Sequence, residues 1–233
     1  MTRILRRGCL AVFCVGVLGY LAADQRAAAA ERSVWPFFAF DNAVGRDQGL
    51  KPEEQAEILS QLGYQGIGHT GVKNIPELCQ AMEARGLKMF STYIQVNLGG
   101  SEVPYDPGLP QAIEQLKGRG TALWIHLHGA SSPSDALDDR AVDVVREIAA
   151  MAESSGLPVV LYPHVGFYVA TNQDALRVVK KVDRKNVGTS FNLCHFLKQQ
   201  DEAELKGVIE ESMPHLMLVS INGADSGATR EMG

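Results

Sequence analysis

Seven short apolar segments, each ending in a polar side chain, recur along this chain at intervals of 24 to 36 residues. The polar ends are Asp41, His69, Tyr93, His128, His164, Asn192 and Asn222. The stretches between them space their apolar residues as amphipathic helices do. A strand, a polar end and a helix, repeated in this way, predict an α/β fold of the (β/α)8 TIM-barrel type. In such a barrel the chemistry lies at the carboxyl ends of the strands.

The individual elements follow from apolar periodicity and from helix-start signals. The fourth predicted helix carries apolar residues at i, i+3, i+4 and i+7, namely Ala141, Val144, Val145, Ile148, Ala149 and Ala152. The first opens with Pro52 in its first turn, and Ile58, Leu59 and Leu62 form its expected buried stripe. The predicted strands are residues 34–40, 66–69, 88–96, 123–128, 159–162, 187–193 and 216–221.

A closed barrel needs an eighth strand, whereas seven are predicted before Gly233. Residues 31–233 are therefore expected to form one incomplete barrel domain, apparently truncated after strand seven. Either the chain is a fragment, or another element closes the barrel. A fragment would leave the sheet open between strands seven and one, with unpaired edges.

The first thirty residues have the pattern of a secretory signal. Arg3, Arg6 and Arg7 precede an apolar run over residues 9–23, and residues 27–30 offer an Ala-x-Ala cleavage site. The apolar run is shorter than the roughly 20 residues that a bilayer span requires. We expect export to the periplasm or the medium, with no membrane attachment after cleavage; an uncleaved N-terminal anchor is the alternative.

Charge and cysteine content limit the partners. Without residues 1–30, 18 Lys and Arg remain against 26 Asp and Glu, a net charge of −8. Such a surface repels a phosphate backbone, which argues against nucleic acid and favours a small-molecule partner. Cys79, in a predicted helix, and Cys194, in a predicted strand, are expected to be buried free thiols. Self-association remains open.

Four histidines lie at or just beyond predicted strand ends: His69, His128, His164 and His195. His126 shares the face of His128 if its strand continues that far. A barrel gathers such side chains into one pocket, where imidazole binds divalent metal ions or transfers protons near neutral pH. His215, which follows Pro214, is expected to be structural.

Carboxylates are scarce at the same rim. Asp41 and Asp225 are the two candidates, and Asp41 could equally cap a turn. The remaining polar side chains suit hydrogen bonds to sugar hydroxyls better than metal coordination; they are Tyr93, Asn97, Tyr162, Asn192, Ser220 and Asn222.

Two segments resemble strands five and six of the xylose-isomerase-like TIM barrels, which include sugar epimerases, hydroxypyruvate isomerases and apurinic endonucleases. Residues 161–164 read Leu-Tyr-Pro-His, where these proteins usually carry Glu-x-His. Residues 186–195 read Asn-Val-Gly-Thr-Ser-Phe-Asn-Leu-Cys-His and are similar to Asn-x-Gly followed by Asp-x-x-His. The resemblance extends over roughly residues 34–225, and Ser220 to Asp225 resembles the strand-seven motif His-x-x-Asp.

The departures concern the ligands that the resemblance implies for a divalent ion, Mn²⁺ or Mg²⁺. Tyr162 stands where relatives carry a Glu, Asn192 where they carry an Asp, and Asn222 where they carry a His. The fourth ligand would lie beyond residue 233. His195 and Asp225 match the family and remain metal candidates, but the metal is undetermined and its binding is expected to be weakened.

Two hypotheses follow. In the first, the chain is an exported sugar or sugar-phosphate isomerase or epimerase, in which His164 and His195 transfer protons. Its substrate contacts would come from His69, Tyr93, His128, Tyr162, Asn192 and Asn222. In the second, the pocket binds carbohydrate without catalysis, with rim aromatics such as Tyr93 and Phe167 stacking on sugar rings. Charge, ligands and export argue together against an apurinic endonuclease.

Overall fold

Seven parallel strands form one sheet in the order of the sequence. The computed structural model describes residues 35–222 except 47, 101–102 and 130–134. The strands are β1 (Ala39–Phe40), β2 (Gly66–Thr70), β3 (Lys88–Asn97), β4 (Ala122–His128), β5 (Val159–Leu161), β6 (Val187–Asn192) and β7 (Leu216–Ser220). This arrangement confirms the α/β fold of TIM-barrel type, with its elements in the compact unit that begins at Phe37.

Helices connect successive strands, as the alternating pattern predicts. They are α1 (Pro52–Gln61), α2 (Ile75–Glu83), α3 (Leu109–Gln115), α4 (Asp135–Glu153), α5 (Asn172–Val182), α6 (Leu193–Leu197) and α7 (Leu205–Ser212). Helix α5 begins with a reciprocal capping box, in which Thr171 accepts from the Asp174 backbone and Asp174 accepts from the Thr171 backbone. Within the described ranges, no helix is both long and apolar enough to cross a membrane.

Several local predictions are wrong. β1 covers Ala39–Phe40 and not residues 34–40, and β3 continues past Tyr93 to Asn97. Cys194 lies in helix α6 and not in a strand, because the Asn192 side chain accepts the backbone N–H of His195 at 2.9 Å and starts a helix there. Leu62 is 65% exposed, because α1 ends at Gln61 and Gly63, at φ 77°, turns the chain away. Cys79 and Cys194 are both buried and free, as expected.

Side chains of each strand alternate between two cores. On β4, Ile125 and Leu127 belong to the large apolar core that the helices cover. Trp124 points to the inner side, where it packs with Val160 and Tyr162. His126 and His128 follow Trp124 at intervals of two residues, so the inner face leads directly to the rim.

The close pairing of β2 with β3 requires glycine at its start. Gly66 is in register with Lys88, and a side chain at this position would overlap the Lys88 carbonyl oxygen. The absence of a β-carbon therefore lets β3 approach β2 closely where the two strands begin to pair.

The sheet is open between its first and last strands. Among the described residues β7 pairs with β6 and not with β1, as expected from the sequence. Leu218 packs towards the inner cluster, whereas Met217, Val219 and Ile221 on the other face are exposed. The predicted signal segment, residues 1–30, and Asp225 lie outside the described residues.

Candidate functional site

Four imidazoles meet where β4, β5 and β6 end, and we call His126, His128, His164 and His195 the histidine cluster. His126 Nδ1 and His128 Nε2 are 2.6 Å apart and share a hydrogen bond. The rings of His164 and His195 lie 3.8 Å apart, centroid to centroid. Phe167 joins the two pairs, with its ring 3.8 Å from His128 and 3.9 Å from His164.

The backbone fixes the proton on one of these rings. His164 Nδ1 lies 2.7 Å from the Val165 carbonyl oxygen, which can only accept. Nδ1 therefore carries the hydrogen, and Nε2 of the neutral ring carries a lone pair. His195 differs, because its buried Nδ1 has no hydrogen-bond partner among the described residues. The pair thus presents one defined base and one unsatisfied ring nitrogen.

Burial keeps the cluster uncharged at neutral pH. It lowers the pKa of His126 to about 3, with help from the nearby His128 and His164 rings. It also lowers the pKa of His195 to about 3, with further contributions from His164 and Lys198. The pKa values of His128 and His164 are lowered by burial as well. These rings are bases and hydrogen-bond partners, not cations, near pH 7.

Asn192 is saturated by protein partners. Its amide nitrogen donates to the Tyr162 hydroxyl and to Ser220 Oγ, both at 3.0 Å, and its oxygen accepts the His195 backbone N–H. The residue is only 3% exposed. We call Tyr162, Asn192 and Ser220 the tyrosine–asparagine network. Burial raises the pKa of Tyr162, so its hydroxyl stays protonated.

The residues present do not fit the hard divalent ion that the fold family implies. Mn²⁺ and Mg²⁺ prefer anionic oxygen ligands. At the matching positions Tyr162 is a neutral phenol, and the Asn192 oxygen is already engaged by a backbone N–H. In the part of the chain that the structure describes, no three His, Cys, Asp or Glu side chains are arranged to hold an ion.

Asp41 and His69 form a separate group at the end of β1 and β2. Asp41 is 2% exposed and accepts from both the backbone N–H and the hydroxyl of Thr70 at 2.7 Å. His69 Nδ1 is 3.5 Å from Asp41, and His69 Nε2 donates to the Lys73 carbonyl at 2.9 Å. These contacts tie β1 to β2, and His69 has no ring contact with the histidine cluster among those described.

A cavity of about 460 Å³ opens beside the cluster. Tyr93 and His126, stacked with centroids 4.1 Å apart, line both the cavity and the cluster. The wall further includes Arg46, Thr70, Asn97, Tyr105 and Asp106. The volume lies within the range of small-molecule pockets, roughly 300 to 1,000 Å³.

The structure thus brings together most of the predicted site residues: Tyr93, His128, Tyr162, His164, Asn192 and His195. Asn222 is exposed just beyond β7, and His69 lies with Asp41. Sequence reasoning placed His126 only conditionally, on the face of His128, and Phe167 only among rim aromatics for sugar stacking; it did not assign Arg46 to the site. The inward alternation from Trp124 pointed to His126, whereas no local pattern marked Arg46.

Solved structures of known proteins share this fold. The structure is similar to 3-keto-D-glucoside 4-epimerase from E. coli, with a TM-score of 0.67 and 18% identity over 81% of this chain and 80% of that chain. It is also similar to a probable 3-DHS dehydratase from Bacillus anthracis, with a TM-score of 0.68 and 13% identity over 83% and 75%.

A third similar structure is D-psicose 3-epimerase in the presence of D-fructose, with a TM-score of 0.60 and 13% identity over 83% of this chain and 87% of that chain. No curated protein matches the sequence. The sequence profile described as xylose isomerase-like TIM barrel matches residues 56–232, most of the chain. This chain therefore belongs to the xylose isomerase-like TIM barrel family.

Proposed function

We propose that the chain acts on a small carbohydrate as an isomerase or epimerase, by proton transfer at the carboxyl-terminal rim of the sheet. The His164–His195 pair carries this proposal, because the His164 ring presents a defined lone pair. The adjacent His195 ring, 3.8 Å away centroid to centroid, has a buried Nδ1 without a hydrogen-bond partner among the described residues. The family and the fold shared with sugar epimerases support it.

The neutral state of the cluster sets the direction of proton flow. A neutral His164 can accept a proton at Nε2 from a carbon or hydroxyl of the sugar. The proton can then return to the sugar from His164 itself or pass through the adjacent His195 ring, whose centroid lies 3.8 Å away. Negative charge that develops on the substrate would favour protonated imidazole and offset the lowered pKa values. No step requires a metal ligand from Tyr162 or Asn192.

The aromatic surroundings suit a sugar ring. Tyr93 stacks on His126, Phe167 on His164, and Tyr93 meets Trp124 edge to face at 5.4 Å. Such faces accept the apolar side of a sugar, while Tyr93 and His128 provide groups for its hydroxyls. Tyr162 and Asn192 would act indirectly, by holding the His195 backbone in place.

Solvent-deuterium exchange tests catalysis directly. The full chain would be incubated in D2O with a panel of ketoses, aldoses and keto-glycosides, and deuterium incorporation would be followed by NMR. We expect incorporation for at least one sugar, and a loss of at least about 100-fold in His164→Gln and in His195→Gln. His215→Gln, a half-buried histidine before β7, is the matched control and should retain the rate.

A second candidate is a carbohydrate-binding barrel without turnover, and the saturated tyrosine–asparagine network favours it. If calorimetry detects sugar binding while no sugar exchanges deuterium in the wild type, this second function replaces the first. If neither binding nor exchange is found for any sugar, both candidates are wrong.

Export is part of the proposal. The basic residues Arg3, Arg6 and Arg7, the apolar run and the Ala-x-Ala site support cleavage near Glu31. Expression in a bacterium followed by N-terminal sequencing of the periplasmic fraction should find a chain that begins at or near residue 31. An intact N-terminus in the cytoplasmic fraction would contradict it.

A further inference from the structure

Two histidines of the cluster share one proton. His126 Nδ1 and His128 Nε2 lie 2.6 Å apart, and both residues project from the inner face of β4. A contact this short requires a hydrogen between the two nitrogens, because two lone pairs or two N–H groups facing each other would repel. The pair therefore has two neutral forms, one with the shared proton on His126 and one with it on His128.

The two outward nitrogens of this pair are not fixed by protein groups. Neither His126 Nε2 nor His128 Nδ1 has a hydrogen-bond partner among the described residues, and neither atom is fully buried. His164 differs, because the Val165 carbonyl oxygen holds its proton on Nδ1. Within the described part of the chain, no backbone carbonyl therefore favours one form of the His126–His128 pair over the other.

The pair connects the cavity with the end of the strand. His126 is 6% exposed, lines the cavity and stacks on Tyr93. His128 is the last residue of β4 and is half-buried, and its ring lies 3.8 Å from that of Phe167. The two rings thus span the distance from the wall of the cavity to the rim.

The low tolerance of this site for charge gives such a connection a purpose. Burial lowers the pKa of His126 to about 3, so this ring does not hold a positive charge near neutral pH. When His164 accepts a proton it must become a cation, because its Nδ1 already carries a hydrogen. The His126–His128 pair can instead accept a proton at one end and release another at the other end. Both of its rings then stay neutral.

We propose that His126 and His128 form a proton relay between the cavity and solvent. His126 Nε2 takes the proton of a sugar hydroxyl, whose oxygen keeps the bonding electrons. The shared proton passes from His126 Nδ1 to His128 Nε2, and His128 Nδ1 releases its proton to a water molecule. The reverse sequence returns a proton to the sugar. This inference rests on the proposed function for the sugar and on the geometry of the pair for the relay.

Nitrogen-15 NMR of the full chain with labelled histidine tests the shared proton without a sugar. We expect a coupling between His126 Nδ1 and His128 Nε2 across the hydrogen bond, and chemical shifts in both rings that average the two forms. His164, with its proton held on Nδ1, is the internal control and should show one form. His128→Ala should abolish the coupling. An absent coupling in the wild type, or a single fixed form of the pair, would overturn the inference.

Rescue by a soluble proton carrier tests the relay in catalysis. The sugar is one that exchanges deuterium with the wild type, and turnover is measured with and without imidazole in the buffer. We expect His128→Ala to lose at least about tenfold in rate, and imidazole to restore most of that loss. Phe167→Leu is the matched control, because it disturbs the packing of the His128 ring without removing a proton carrier. Imidazole should not restore any rate that this control loses.

The two measurements separate the relay from the sugar function. If the coupling and both forms are found but no sugar exchanges deuterium with the wild type, the relay stands as a property of the pair and the sugar function fails. If a sugar turns over and His128→Ala keeps the rate, the relay is refuted and the sugar function stands. A loss of rate in His128→Ala that imidazole does not restore also refutes the relay.

Discussion

Two regions of this protein bury polar groups in opposite ways. On the outer layer, between α4 and α5, the carboxylate of Asp138 is 3% exposed and is surrounded by cations. It accepts from Arg177 at 3.0 Å, from Lys181 at 2.7 Å and from the Tyr168 hydroxyl. In the histidine cluster and the tyrosine–asparagine network, the buried groups are imidazoles, a phenol and an amide, and none of these carries a charge near pH 7.

The difference follows from the partners that each burial has. Burial alone would raise the pKa of Asp138, but Arg177, Lys181 and Tyr168 lower it to about 2, so the carboxylate stays ionised. Among the residues that the structure describes, no carboxylate contacts His126 or His195, and burial lowers their pKa values to about 3. Charge in this protein holds helices together, while the candidate site is built from neutral hydrogen bonding.

The largest effect should come from breaking the charged region. Asp138→Asn leaves Arg177 and Lys181 without their shared carboxylate, and we expect a loss of about 3 kcal/mol in the free energy of unfolding. Urea denaturation measures it. The control is Asp139→Asn, the exposed neighbour on the same helix. Equal, small losses in both variants would show that the network contributes little.

Removing the central residue of the tyrosine–asparagine network should cost less stability than removing Asp138. Asn192→Ala strands the Tyr162 hydroxyl, Ser220 and the His195 backbone N–H, which costs about 1 to 3 kcal/mol. Urea denaturation of Asn97→Ala, an exposed asparagine at the end of β3, provides the comparison. If Asn192→Ala were as stable as Asn97→Ala, the network would not order the rim.

Acid should distinguish the regions without any substitution. The pKa values of His126 and His195 are lowered in the folded state, so the unfolded state binds more protons below about pH 6.5. The stability of the folded state with neutral rings is therefore fully present above that pH and is lost as the pH falls towards 3. Between pH 7 and pH 5 we expect the free energy of unfolding to fall by about 1 to 2 kcal/mol per ring.

Thermal melts across this range check the sign. His195→Gln removes one titrating ring, so its melting midpoint should fall less steeply between pH 7 and pH 5 than that of the wild type. A steeper fall in the variant, or a wild-type midpoint that rises on acidification, would contradict the neutral cluster.

Ion pairs that are exposed to solvent should contribute least to stability. Lys206 and Glu210 form an i,i+4 pair on α7 at 3.7 Å, with exposed fractions of 86% and 65%. Water screens such pairs, and Lys206→Ala should leave the melting midpoint within experimental error. A clear fall in the melting midpoint would mean that exposed ion pairs also stabilise the outer layer, and the contrast between the two regions would be weaker.

The sequence predicted the architecture well because strand and helix periodicities are local properties. The apolar stripe from Ala141 to Ala152 lies in α4, and each of the seven polar residues lies within or shortly after one of the seven observed strands. Tyr93 is not a strand end, because β3 continues to Asn97. Errors fell at element ends. Asn192 reads as the last residue of a strand, yet its side chain caps α6, a role that depends on where His195 folds back.

The site was harder to predict from the sequence, because the roles of its residues depend on contacts between residues that are far apart in the chain. The sequence shows Tyr162 and Asn192 in place of the usual ligands. It does not show that the Asn192 amide donates a hydrogen bond to the Tyr162 hydroxyl, 30 positions away. The pairing of His126 with His128 requires a regular strand up to residue 128. Arg46 lies in a turn whose sequence has no pattern typical of a binding site, and only the packing of β1 against β3 and β4 aromatics places it.

The most direct test of a neutral rim is a thermal melt of the full chain with chelator and then with excess Mn²⁺. A ligand that binds only the folded state raises the midpoint by mass action. Because Tyr162 and Asn192 replace anionic ligands with a saturated hydrogen-bond network, we predict the same midpoint under both conditions. A midpoint that rises with Mn²⁺ in the wild type and not in Asn192→Ala would contradict this, and would place a metal ion where we find hydrogen bonds.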